Sequence, residues 1–77
     1  MNLLEAKNNI DLKVIIIRKG RWATMRLANM GIREGVIIKK IAQQFFKGPI
    51  SIKVGESELA IGCGMAVAIE VEEIKKQ

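Results

Sequence analysis

Ile50-Ser51-Ile52-Lys53-Val54-Gly55-Glu56-Ser57-Glu58-Leu59-Ala60-Ile61 is the stretch that decides the class of fold. Ile50, Ile52 and Val54 alternate with Ser51 and Lys53, the two-residue period of a strand with one face in a core. Gly55-Glu56-Ser57 then offers a hairpin connection, and Leu59 and Ile61 face the core from a second strand over Glu58 to Ile61. Downstream, Gly62-Cys63-Gly64 punctuates the chain and Met65 to Ala68 reads as a short turn or helical piece. A last strand follows over Ile69 to Glu73, with Ile69 and Val71 inward and Glu70 and Glu72 outward. Upstream, Gly48-Pro49 closes a loop over Gln43 to Gly48 that holds Phe45 and Phe46. Val36 to Gln44 is a further strand, with imperfect alternation because Lys40 shares a face with Ile38 and Ala42. A bulge or an edge position near Lys40 accounts for that.

The period changes once. From Trp22 to Met30, Ala23, Leu27 and Met30 recur at helical spacing and predict a core-facing stripe, and Gly31 suits the left-handed position that ends helices. Ile32-Arg33-Glu34-Gly35 is a tight connection. Before the helix, the β-branched run Val14-Ile15-Ile16-Ile17 predicts a buried strand over Lys13 to Arg18. Met1 to Asn9 holds Leu3-Leu4-Glu5-Ala6, which matches no single period, and then a turn at Asn8-Asn9. Short strands separated by turns, with one or two short helices, predict a mainly β, partly open small barrel. A chain of 77 residues has room for one domain, so residues 1–77 are expected to form a single one.

Composition narrows the chemistry. The chain has no histidine and one cysteine, Cys63, which removes Ser-His-Asp triads, Cys-His pairs and His-rich zinc motifs. A phosphate loop and a nucleophile elbow are absent too, so the expectation is a protein that is not an enzyme and carries no catalytic, metal or cofactor residues. The longest β-branched run falls far short of a membrane span, so no direct membrane insertion is expected. The lone thiol fits a reducing, cytoplasmic compartment. Thirteen Lys and Arg against eight Asp and Glu leave a net charge of +5. Such an excess serves either an anionic partner or a solvated basic rim.

Three fragments carry a family resemblance. Arg26-Leu27-Ala28-Asn29-Met30-Gly31-Ile32-Arg33-Glu34-Gly35 looks like RLxxLGIxPG, and Gly48-Pro49 before Ile50 to Val54 looks like the strand that follows a GP pair. Leu59-Ala60-Ile61-Gly62-Cys63-Gly64-Met65-Ala66 with Ile69-Glu70-Val71-Glu72 looks like LAIGxGMAxxIxVE. In this order and spacing they resemble the FeoA family, small cytosolic proteins that accompany the bacterial ferrous iron transporter FeoB. Glu34 stands where the family usually has proline, Lys40 where a strand valine is common, and Phe45 where proline is frequent. The resemblance implies an SH3-like β-barrel in which Leu27, Gly31, Gly35, Gly48, Pro49, Gly64 and Ala66 are structural motif residues. It implies an accessory role in ferrous iron transport, through contact with the cytosolic GTPase region of a FeoB-like transporter that recruits the protein to the inner face of the membrane. It brings no catalytic or metal residues.

The candidate partner-binding residues are Trp22, Met25 and Asn29 on the helix face turned from the Ala23/Leu27/Met30 stripe, the cations Arg18 and Arg21, and Phe45-Phe46 in the loop. Each has a plainer use. Trp22 folding over the barrel rim to complete the core is the favoured reading, because so small a domain needs its largest side chain. One phenylalanine serves as a loop anchor, and the arginines as a solvated rim. Cys63 reads as a small half-buried thiol, and Glu70, Glu72 and Glu73 as a solubilising strand face rather than a weak cation site. A basic nucleic-acid-binding barrel is the alternative function. No nucleic acid is expected, because Trp22, Phe45 and Phe46 are the only aromatics and make no stacking platform.

Overall fold

The computed structural model describes residues 1–43 and 48–75. Its elements run β1 (Asp11–Ile17), α1 (Arg21–Asn29), β2 (Ile37–Gln43), β3 (Ile50–Val54), β4 (Ser57–Ile61), α2 (Cys63–Ala66) and β5 (Ile69–Glu73). The strands form one antiparallel sheet in the order β4-β3-β2-β1-β5. The sheet is not closed: β4 and β5 are its edges. It is the mainly β arrangement with two short helices that the sequence predicts and the SH3-like fold that the resemblance implies, with the barrel left open.

The hairpin forms as read. Val54 pairs with Ser57 across Gly55-Glu56, and positive φ falls on Gly55 (+60°), as a type II′ turn requires. Ile50, Ile52 and Ile61 are buried, and Leu59 is half-buried against them. Leu12, Val14, Leu27, Ile32, Ile38, Ile69 and Val71 join them in the core.

Two bulges explain the strands that alternate badly. In β2 the register shifts between Lys40 and Ala42, so Lys40 stays on the buried face with Ile38 while Ala42 turns to solvent. In β1 the shift lies between Val14 and Ile16. The fully buried strand predicted there is therefore corrected: Val14 is inside, Ile15 and Ile16 are exposed, and Ile17 is half-buried.

The N-terminal segment, illegible by period, is a turn that contributes Leu3 and Ala6 to the core. It also covers the outer edge of β5. Leu3 N–H donates to Ile69 O (2.9 Å) and Val71 N–H to Met1 O (2.8 Å), around a bridge between Asn2 and Glu70. Lys40 pins this segment from behind. It is 4% exposed, and its Nζ donates to the carbonyls of Leu4 (2.8 Å) and Ala6 (2.9 Å). Burial pushes the Lys40 ammonium below the usual lysine range. No described helix is long and apolar enough to cross a membrane.

Candidate functional site

Helix α1 is held to the sheet by one side of its surface and by its C-terminus. It starts at Gly20, whose extended backbone caps it; Thr24 N–H donates to Gly20 O (3.0 Å) and Thr24 Oγ1 to Lys19 O (3.1 Å). It ends in a Schellman motif. Gly31 N–H donates to Ala28 O (2.9 Å), Ile32 N–H donates to Leu27 O (2.8 Å), and Gly31 takes φ +89°. The apolar contact typical of that motif falls on Leu27 and Ile32, both fully buried. These bonds fix which way the helix faces.

Only Leu27 of the predicted stripe is buried; Ala23 is half-buried and Met30 is 37% exposed. At about 100° per residue the helix is too short for three positions to meet the sheet equally, and Met30 already belongs to the cap. The reading of Trp22 as a lid on the core is also corrected. Trp22 is 82% exposed, with Met25 at 53% beside it one turn on. The core is completed without it, in part by Leu3 and Ala6 from the N-terminal turn.

Trp22, Met25, Arg26 and Asn29 therefore form an outward ridge along α1, all exposed. A groove runs along each flank. One, of about 350 Å³, lies over Thr24, Ala28, Ile17 and Ile32. The other, of about 180 Å³, lies between Arg26 and Met30 on the helix and Ala60 and Met65 opposite. At the helix start Arg18, Lys19 and Arg21 are exposed, and no acidic residue occupies the first turn. Cations here run against the helix dipole, so they do not serve the helix. Of the sequence-predicted site residues, the fold gathers Trp22, Met25, Asn29, Arg18 and Arg21 about α1. Phe45 and Phe46 lie outside the described residues, so their loop is not placed.

Val67 is one exposed residue that sequence reasoning missed. Arg18 N–H donates to Ala68 O (2.7 Å), which brings exposed Val67 next to the helix start. A lone valine after a glycine-rich turn gave no periodic signal of this. Cys63 is half-buried at the start of α2. Among the described residues no group of three or more Cys, Asp or Glu converges as a cation site would require.

Gly35 takes φ +90° in the turn before β2, Gly48 and Pro49 lead into β3, and Gly64 and buried Ala66 form α2. Known proteins share this arrangement. A protein of Methanocaldococcus jannaschii, provisionally named Fe(2+) transport protein A, is 40% identical over 68 residues, covering 88% of this chain and 80% of that one. The crystal structure of an iron uptake regulatory protein, FeoA, superposes with a TM-score of 0.83 at 32% identity over 95% of both chains. The solution structure of iron(II) transport protein A from Clostridium thermocellum superposes with a TM-score of 0.88 at 22% identity. It matches 96% of this chain, which spans 46% of that longer one. With the FeoA domain model matching residues 1–73 as well, the chain belongs to the FeoA family.

Proposed function

We propose that this protein is a cytosolic accessory of ferrous iron uptake that acts by contact with the cytosolic GTPase region of a FeoB-type membrane transporter. The family's link to Fe(2+) transport supports the pathway. The observation that carries the contact is Trp22, the only tryptophan of the chain, standing 82% exposed on a helix ridge with Met25. Leaving so large an apolar side chain in water gains the isolated fold nothing, and tryptophan, methionine and arginine are enriched where proteins meet. Trp22 and Met25 form the apolar centre, Asn29 supplies a polar edge, and Arg18 and Arg21 steer an acidic surface.

The test is iron uptake in cells that lack their own copy. Trp22→Ala with Met25→Ala is expected to lower ferrous iron accumulation severalfold while the protein stays folded and abundant. Undiminished uptake by that variant removes α1 from the contact.

A further inference from the structure

The charge of this protein is distributed unevenly along the chain. Between Leu12 and Arg33 lie Lys13, Arg18, Lys19, Arg21, Arg26 and Arg33, and not one Asp or Glu. The whole excess of positive charge sits in this segment, because the lysines elsewhere are balanced by the eight acidic residues. All the arginines of the chain fall within it. Each of these six cations is exposed, and among the described residues none forms an ion pair. The guanidinium fork pairs with two phosphate oxygens at once, which the ammonium of lysine does not do.

The apolar component is on the same side. Trp22 and Met25 rise from the convex ridge of α1, and the Arg18–Ala68 bond sets exposed Val67 beside the helix start. Exposed tryptophan among arginines, on a helix that carries no carboxylate of its own, suits a broad anionic plane. A tryptophan ring with its apolar body and N–H donor sits at headgroup level, and basic side chains around it are drawn to negative lipid.

We infer that the start of α1, through Trp22, Arg18, Lys19 and Arg21, docks peripherally on the anionic lipid surface of the membrane. The inference rests on the proposed work beside a membrane transporter and deepens it: the face that meets the transporter meets headgroups first, so lipid docking and transporter contact are successive and mutually exclusive uses of Trp22, Arg18 and Arg21. Nothing crosses the bilayer in this arrangement.

The test uses the full chain and vesicles without any transporter. One set is an equal mixture of phosphatidylglycerol and phosphatidylcholine, and the other is phosphatidylcholine alone. At low salt the protein is expected to sediment with the first set and not the second, and to be released by physiological or higher salt. Trp22 is the single tryptophan, so its emission reports the contact directly and should move to shorter wavelength only with the anionic vesicles. Each cation near such a surface is worth roughly fivefold in affinity, so Arg18→Gln with Arg21→Gln should bind about 30-fold more weakly. Trp22→Ala, at an exposed position, keeps the fold and should also bind more weakly.

Equal binding to both vesicle sets, no binding to either, or full affinity in the arginine variant overturns the inference. Capture by immobilised polyglutamate without capture by anionic vesicles overturns it too, and assigns the face to an acidic protein. Binding of the soluble cytosolic part of the transporter, measured without lipid, separates failure here from failure of the proposed function.

Discussion

Replacing Lys40 with methionine removes the ammonium that holds the N-terminal turn and leaves a side chain of similar length. The two bonds from Nζ, at 2.8 and 2.9 Å, end on the carbonyls of Leu4 and Ala6. A buried carbonyl left without a donor costs about 1–3 kcal/mol, and the Ala6 bond is buried while the Leu4 bond is partly open to water. Relief of lysine desolvation offsets part of this. The expected net loss is about 2–3 kcal/mol, a large share of what so small a domain has. Urea denaturation measures it. Hydrogen exchange locates it, because the amides of Leu3 and Val71 bond across this segment and should lose protection first.

The pH dependence has a definite sign. Burial lowers the Lys40 pKa in the folded state, so between that value and the ordinary lysine value the unfolded chain binds more protons. Stability attributable to Lys40 therefore rises with pH in that alkaline window, and the gap between parent and Lys40→Met should widen. A loss below about 0.5 kcal/mol, unchanged exchange at Leu3 and Val71, or a gap that narrows with rising pH would refute the reasoning.

Other substitutions divide core from surface. Leu27→Ala, at a fully buried position, should cost about 2–4 kcal/mol in denaturation. Met25→Ala, two residues away on the opposite, exposed face of the helix, should stay within about 1 kcal/mol of the parent. Gly31→Val forces a β-branched side chain onto φ +89° with its Cβ only 3.2 Å from Val54 Cγ1, and should cost about 1–3 kcal/mol. Adding Val54→Ala should recover the contact part of that loss and not the backbone part, which a double-mutant cycle separates.

The strands that alternate cleanly were legible because period two is a local property: β3 spans the predicted residues, and Ile69 and Val71 face inward as read. Gly31 was legible for the same reason, since one residue sets the helix end. The misses come from distant parts of the chain. Nothing near Leu3 says that its turn lies along β5, more than sixty residues away, so its burial was invisible. Trp22 as a lid is what the small size of the domain predicts, and Leu3 and Ala6, from a segment without a period, add core that this reasoning leaves out. The irregularity at Lys40 was visible, but its acceptors, Leu4 and Ala6, were not. Ile15 and Ile16 show the limit of composition: a β-branched run predicts a buried strand, but alternation already turns Ile15 outward and the bulge after Val14 exposes Ile16 as well.

The central claim is that the α1 ridge is a contact surface for a FeoB-type transporter, and direct binding tests it most simply. The measurement is titration of the purified cytosolic GTPase region of the partner transporter with parent protein and with the Trp22→Ala/Met25→Ala variant, in the absence of lipid. The account predicts saturable binding by the parent that weakens at least about tenfold in the variant, with thermal unfolding of the variant unchanged. Equal affinity of parent and variant, or no binding by the parent at low salt, would contradict it.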